Sequence, residues 1–434
     1  MSIPREAAFE NFRATNAYRW YVLSVLILVG ALAWIDRQVM SIVLQSIKVE
    51  FNLSDTQLGL LGGTAFGLFY VTVGLPIAWL ADRFRRSTII AGSIGLWSAL
   101  TALCGLATGY WSLFAARVGV GIGEAGAAAP SQSMLSDYFP PERRGLAMGV
   151  LYSYIPISYL VSYGLGGWVN DTLGWRMAFI VFGLPGLVAA LLLRLTVREP
   201  PRGYSEGAVA RARSESGPRF SVALRHILTV RTMRWLPFAG AAHAVGMVGI
   251  SVWMPAYLIR VHHMSATDVG IDLALILGVA GFAGALAGGH IADRQIRKTG
   301  DARWNLWICA IVTLVAAPFI LCVFLMDDTR LALLLFVIPS VLNNMLLGPV
   351  FATVQNLGGV RHRAIAAAWY LFVVNLIAMG IGPALIGMLS DLTNARYGAD
   401  ALRYAMFLVP VASTLAGVLF LVSARTLRED LRRA

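Results

Sequence analysis

Residues 117–126 read RVGVGIGEAG, from Arg117 to Gly126. They place an arginine and a glutamate inside one of the most apolar parts of the chain. Even the lower estimates put a charge at the centre of a bilayer at about 2.5–3.5 kcal/mol. Side chains at that depth face a bundle interior or a wet cavity. On a helix, Arg117 and Glu124 fall nearly on one face, two turns apart. The stretch therefore predicts a membrane helix with its charges turned inward.

Composition points the same way. Of 434 residues, 58% are hydrophobic and 13% are charged, and the mean hydropathy is +0.69. A soluble domain is roughly 45–50% apolar and about 25% charged. The expected fold class is an all-α membrane protein with many spans of about 20 residues. The formal charge is +12. No basic–aromatic module accompanies it, so no nucleic-acid partner is expected. The charge is read as loop arginines meeting an anionic leaflet. Cys104, Cys309 and Cys322 are scattered through apolar runs, in neither a disulfide framework nor a metal spacing. Neither cofactor nor metal is expected. The first 19 residues are polar and the first span lacks a small-residue cleavage site, so no removable signal peptide is expected.

Apolar runs fall at about 18–45, 54–81, 87–107, 109–136, 145–170 and 174–196, then at about 232–260, 266–292, 305–326, 331–355, 362–390 and 402–424. Twelve transmembrane helices in two sets of six are predicted. The expected domains are a six-helix bundle over 1–196, a cytoplasmic linker over 197–230 and a second bundle over 231–434. The linker contains REPPRG and ARARSESGPR, with a short helix expected at about 220–228. Most of the 35 Lys and Arg fall in the termini, the linker and the even-numbered loops. That bias predicts both termini on the cytoplasmic side. Short loops and termini favour a bacterial inner membrane, and a monomer is expected.

The chain repeats itself. After span 2 it reads Ala81-Asp82-Arg83-Phe84-Arg85-Arg86, and after span 8 Ala292-Asp293-Arg294-Gln295-Ile296-Arg297-Lys298. An acid beside several bases in a short loop suits a charge clamp at a helix end. Matched loops in two halves are the mark of a transporter built from repeats. These residues resemble the loop motif of the major facilitator superfamily, Gly-x-x-x-Asp-Arg-x-Gly-Arg-Arg/Lys. The second copy keeps Gly289, Asp293, Arg294, Arg297 and Lys298. The first keeps Asp82, Arg83 and Arg86 but has Ala78 and Arg85 where glycines are usual. Arg117, Gly121 and Gly123 match the superfamily's fourth-span motif. The resemblance covers essentially the whole chain and implies alternating access.

Asp36-Arg37, in ALAWIDRQVM, supplies a second charged site at depth. It is read as a protonatable carboxylate facing a central cavity, or as an Asp–Arg pair closing an outer helix end. Arg117 is expected to pair with a deprotonated acid in one state and with an anionic substrate or another acid in the next. The bland alternative is a static buried ion pair between spans 1 and 4. GIGEAG at 121–126 matches GxGxxG, but it lies within an apolar helix with no preceding strand, so a dinucleotide site is rejected. Its glycines, and Gly59, Gly62, Gly63 and Gly67 of span 2, are assigned to close helix packing.

A finer resemblance is to the Spinster family, carried by Asp36-Arg37, RVGVGIGEAG, Pro130, DYFPPERRG, and RAIAAAWYLFVVNLIAMGIGP with Leu389-Ser390-Asp391. It implies a proton-driven carrier of an amphiphilic lipid, of the lysophospholipid or sphingoid phosphate class, with Asp36, Arg117 and Glu124 as coupling residues. Organic-anion symporters for sugar acids share the span 1 Asp-Arg and the GEA after the span 4 arginine, and stand as the alternative. Arg37, Phe66, Tyr70, Met247, Trp253, Asn343, Asn344, Trp369, Tyr370 and Asn375 are candidate cavity residues. Asp82, Arg83, Arg86, Asp293, Arg294 and Arg297 are candidate gating residues. Tyr154 and Tyr159 are bulky where span 5 would slide on span 8, and are expected to be natural lining or to bias the protein towards an outward-open shape. His243 and Asp272 are the remaining polar groups at depth, and His262-His263 is read as loop. The protein is not expected to be an enzyme, because no nucleophile–base pair stands at membrane depth.

Overall fold

In the computed structural model, residues 12–205 and 220–433 are described. Ten helical stretches are long and apolar enough to cross a membrane. One of them, Ile365–Arg432, holds two passes separated by the turn at Gly398–Asp400. Span 4 is broken into Tyr110–Glu124 and Ala128–Tyr138, each too short to count alone. Together these make the twelve passes expected from the hydropathy pattern.

The first half comprises span 1 (Asn16–Phe51), span 2 (Asp55–Gly59, Leu60–Thr64 and Ala65–Arg83), span 3 (Arg86–Cys104), the two pieces of span 4, span 5 (Pro141–Leu151 and Tyr154–Leu173) and span 6 (Trp175–Thr196). The helix Phe220–Thr229 follows, where the linker sequence suggested one. ARARSESGPR lies outside the described residues. The second half comprises span 7 (Thr232–Val261), span 8 (Ala266–Leu273, Ala274–Ala280 and Gly281–Thr299), span 9 (Trp304–Leu325), span 10 (Thr329–Asn344 and on from Leu347), span 11 (through Gly380, then Gly382–Tyr397) and span 12 (Ala401–Ala405 and Leu408–Arg433). Gly359, at φ 55° and ψ −172°, turns the chain between spans 10 and 11. The left-handed φ favours glycine there.

The halves repeat in their irregularities as well as in their order. Spans 2 and 8 each contain a π-helical segment, Leu60–Thr64 and Ala274–Ala280. Spans 4 and 10, and spans 5 and 11, are each interrupted. Such discontinuities leave backbone groups free to serve a site and are tolerated where protein or a cavity surrounds them.

The halves meet at the end opposite the linker. Gly59, Gly63 and Gly67 of span 2 lie against Pro383 and Met379 of span 11, and Gly62 lies against Val252 of span 7. A Cβ at Gly59 would stand 2.3 Å from the Pro383 carbonyl oxygen, so only glycine permits this approach. Span 5 meets span 8 in the same way. Gly167 faces the Ala266 carbonyl, and Gly270 faces that of Tyr163. One core cluster runs through the first half and across this junction, while a second lies within the second half and takes in Ile227 of the linker helix.

Polar bonds fasten the same end. Asp391 accepts from the Asp55 and Thr56 amides at 2.9 and 2.8 Å and from the Thr56 hydroxyl at 2.6 Å. Asp171 accepts from the Thr267 amide at 2.8 Å and its hydroxyl at 2.7 Å. Thus a carboxylate at the end of span 11 caps span 2, and one at the end of span 5 caps span 8. A carboxylate at a helix N-terminus satisfies free amides and faces the positive end of the dipole. Asp55 also accepts from Arg260 at 2.8 Å and from Ser390 at 2.6 Å, and pairs with Lys48. Towards the linker end, the described hydrogen bonds stay within one half or run to the linker. The described bonds and glycine contacts between the halves therefore gather at the end away from the linker.

Candidate functional site

Span 1 delivers Asp36 and Arg37, and span 4 delivers Arg117 and Glu124. Asp36, Arg117 and Glu124 are buried, each 1% exposed. Glu124 closes the first piece of span 4, immediately before the break at 125–127. Its glycines set how closely span 4 fits. Gly121 lies on the Phe66 backbone of span 2, and Gly123 lies on Trp97 of span 3. Close packing, as the sequence implied, brings the charges of span 4 to spans 1 to 3.

The pair that forms runs between spans 1 and 4, and it uses Arg37 rather than Arg117. Glu124 Oε2 accepts from Arg37 Nε at 2.7 Å. The physical reason is direction. Arg117 and Glu124 are two turns apart along one helix, whereas Arg37 approaches Glu124 from a neighbouring one. Arg37 is held beside aromatic faces, its guanidinium carbon 4.6 Å from the Tyr70 ring centroid, 4.8 Å from Phe66 and 5.5 Å from Trp34. Arg117 lies 5.3 Å from the Phe66 ring on its own approach. Phe66 and Tyr70 stack at 5.4 Å, so one aromatic pair serves both cations.

The cluster is only partly satisfied. Thr101 donates to Asp36 Oδ2 at 3.1 Å. Asp36 Oδ1, Glu124 Oε1 and Arg117 Nε and Nη1 have no hydrogen-bond partner. Two acids and two arginines give a formally neutral set when all are charged. Adding one proton gives a net cation, and several unfilled donors and acceptors are already in place to exchange partners.

Other candidates divide by position. Tyr70, Met247, Trp369 and Asn375 are half-buried. Phe66, Asn343 and Tyr370 are buried. Trp253 is fully buried and donates from Nε1 to the Pro383 carbonyl at 3.0 Å, so it belongs to the closed junction in this state. Tyr370 packs its hydroxyl against Gly240 inside the second half. Asn344 donates to the Ser340 carbonyl at 2.8 Å. His243 and Asp272 are half-buried. His262 lies beyond span 7 and meets Tyr257 and Thr329. Among the described residues no group of three metal-ligating side chains occurs.

The two tyrosines of span 5 do not prop the closed end open. Tyr154 covers Gly30 of span 1 and lies 6.4 Å from the Trp34 ring. Tyr159 lies 6.2 Å from Trp34 and stacks on Tyr163 at 5.9 Å. They turn towards span 1, and the contact with span 8 passes through Gly167, Gly270 and Gly278 instead. The bulk read from the sequence is real, but it faces away from the sliding surface. In this structure the two rings serve as lining packed on span 1.

The loop motif is used asymmetrically. Arg86 is buried; it bonds Glu199 Oε1 at 2.8 Å, Ser133 at 3.0 Å and the Pro200 carbonyl at 3.1 Å, and it pairs with Asp137. Arg83 lies over Trp79 at 3.7 Å. The Asp82 side chain is outside those described. In the second copy, Asp293, Arg294 and Arg297 are exposed. The comparable clamp uses Asp301, which accepts from Arg303 at 2.9 Å and Arg428 at 2.8 Å. Arg303 and Arg428 hold the Asp301 carboxyl down to about 2. The charges are thus reversed between halves, with a base before span 3 and an acid before span 9.

Several of these groups carried no sequence signal. Thr101 is an ordinary polar residue in an apolar run, as are Gln38 and Ser251, whose hydroxyl donates to Gln38 Oε1 at 2.7 Å across the halves. Asp171 and Asp391 were findable as partners of a repeated pattern, Ser54-Asp55-Thr56 and Ser265-Ala266-Thr267. Glu199 lay in the REPP stretch, but only folding takes it to Arg86.

A family model described as Major Facilitator Superfamily matches residues 26–383. An MFS-type efflux pump of Mycolicibacterium smegmatis is 32% identical over 100% of both chains. The hexuronate transporter of Bacillus subtilis is 27% identical over 87% of this chain and 89% of its own. The sphingosine-1-phosphate transporter SPNS2 of Danio rerio is 27% identical over 93% of this chain and 84% of its own. Among solved structures, a bacterial homologue of the human lysosomal transporter Spinster, inward-facing and unoccupied, superposes with a TM-score of 0.87. It is 30% identical and covers 96% of this chain and 99% of its own.

Proposed function

Because the chain belongs to the Major Facilitator Superfamily, a family of transporters and not of enzymes, we propose that it is a proton-coupled carrier of an amphiphilic lipid-like solute working by alternating access. The lysophospholipid or sphingoid phosphate class fits best. The observation that carries this reading is the half-satisfied cluster of Asp36, Arg37, Arg117 and Glu124. A proton on either acid leaves the arginines in excess, and an anionic headgroup restores neutrality. Loss of the proton on the other side restores the acid as partner and expels the headgroup. Arginine stays charged throughout and can change partners without titrating. Aromatic faces beside Arg37 suit the apolar body of the same solute. The relation to SPNS2, a sphingosine-1-phosphate transporter, supports the lipid class.

The arginine bias puts the linker end in the cytoplasm. On that orientation the closed end is outer and the structure is the inward-open member of the cycle. A bacterial inner membrane and a monomeric carrier complete the reading.

A sugar-acid symporter is the second reading. It is favoured by the hexuronate relative and by Arg117, whose unpartnered nitrogens would hold a carboxylate. Counterflow in proteoliposomes separates the two. Preloaded lysophospholipid should exchange and hexuronate should not. An imposed pH gradient should drive uptake by the native protein, and Asp36→Asn or Glu124→Gln should keep exchange while losing the response. Full gradient-driven uptake by either variant removes that acid from coupling. Hexuronate exchange without lysolipid exchange establishes the second reading.

A further inference from the structure

Spans 2 and 3 each pack closely on span 4 and barely touch each other. Between them a groove of roughly 520 Å³ opens on the wall of the first half. Ile77, Ile89, Gly92, Ser93, Leu96 and Ile122 line it. Leu96 and Gly92 are exposed, and nothing lies within 4 Å of where a Gly92 Cβ would stand. The mouth, at the linker end, is formed by Phe84, Arg85 and Thr88. Arg194 of span 6 donates to the Thr88 hydroxyl at 3.1 Å, which brings a second guanidinium there. Asp137 and Glu199 are engaged by Arg86, the residue after Arg85. Arg85 and Arg194 enter no ion pair among the described residues.

The groove's length matches one leaflet. From Arg85 to Leu96 the helix rises about 16 Å, near half of a hydrocarbon core of about 30 Å. Its floor ends at Ile122 and Gly123, beside Glu124 and the break in span 4. Gly126 of that break rests on the groove's own lining, so a Cβ there would stand 2.1 Å from Ser93 Oγ and 3.2 Å from Ile77 Cγ2. A second groove, between spans 1 and 6, gives a contrast. Leu28, Leu32, Val181, Leu184 and their neighbours make it apolar throughout, with no charge at its rim.

We propose that the groove between spans 2 and 3 is a binding site for an anionic phospholipid. One acyl chain lies along Ile89, Gly92 and Leu96, and the phosphate sits at Arg85 and Arg194. A zwitterionic lipid brings the same tail, but its own cation opposes the two arginines. The bound chain fills the space behind the span 4 break and braces the segment that positions Glu124. This lipid is distinct from the transported solute and does not depend on what that solute is.

The test is native mass spectrometry of the purified full chain in neutral detergent, titrated with phosphatidylglycerol and phosphatidylcholine of identical acyl chains. Phosphatidylglycerol should be retained preferentially. Arg85→Gln and Arg194→Gln should each reduce that preference roughly fivefold. Gly92→Leu, which adds bulk into open space, should remove one bound phosphatidylglycerol without loss of fold. Glycerol phosphate, which has the headgroup charge and no tail, should not compete at equal concentration. Equal retention of the two lipids by the native protein would overturn the proposal. So would an unchanged preference in the double arginine variant, undiminished binding by Gly92→Leu, or displacement by glycerol phosphate alone.

Discussion

The Arg37–Glu124 pair sits where a charge is hardest to leave alone. The Glu124 side chain is 0% exposed, and one of its oxygens already lacks a partner. Removing one member of a buried pair typically costs about 3–5 kcal/mol, because the other charge remains desolvated. Arg37→Gln is therefore expected to lower thermal stability far more than the double variant Arg37→Gln/Glu124→Gln. Differential scanning fluorimetry across the four-protein cycle checks this. Equal losses in the single and double variants would mean that Arg117 takes over as partner. The sequence made these four residues conspicuous because each charge stands in an apolar run. It left open which arginine meets which acid, and it said nothing of Thr101, since a threonine in a membrane helix is unremarkable until a carboxylate lies beside it.

Helix ends repeat in position but not in chemistry. Arg86 before span 3 gathers Asp137 and Glu199, whereas Asp301 before span 9 gathers Arg303 and Arg428. The Asp301 carboxyl is held to about 2, first by the Arg303 hydrogen bond and also by Arg428. Its unfolded value is about 3.9. A depressed folded value stabilises the fold above about pH 4, and the contribution disappears as the pH falls through 2. With Arg428 more than half exposed, about 1 kcal/mol or less is expected. Asp301→Asn should lower the melting temperature by a few degrees at pH 7, and the gap to the native protein should close between pH 4 and pH 2. A gap that persists unchanged to pH 2 would assign the loss to packing instead. The ADR repeat was plain in the sequence. The reversal was not, because Asp301 and Arg428 are distant in the chain and only the return of span 12 joins them.

Over the whole molecule, two carboxylate caps hold the closed end, Asp391 on span 2 and Asp171 on span 8. Each crosses between halves, so both must break before that end can open. Loss of a cap typically costs about 1 kcal/mol. Asp171→Ala with Asp391→Ala should therefore shift the closed-to-open ratio by roughly 30-fold, each 1.4 kcal/mol being about tenfold. Spin labels at the exposed positions Val49 and Leu392, with Cys322 replaced, should show by pulsed electron resonance a longer-distance population that grows in the double variant. An unchanged distance distribution would mean that the remaining cross-half contacts, the Asp55–Arg260 pair and the glycine packing, keep the end shut.

The sequence by itself determined the membrane class, the twelve passes, their arrangement in two related halves and the depth at which Asp36, Arg37, Arg117 and Glu124 stand. These follow from local facts, since hydropathy, repeat spacing and the cost of a buried charge are all properties of short stretches. Only the tertiary structure decided that Arg37 rather than Arg117 meets Glu124, that Tyr154 and Tyr159 face span 1, and that Asp171 and Asp391 close the molecule by capping helices of the opposite half. Those outcomes depend on which helix face meets which neighbour. Glycines such as Gly59, Gly121 and Gly167 mark a surface for close approach, but a missing side chain does not specify what will fill its place.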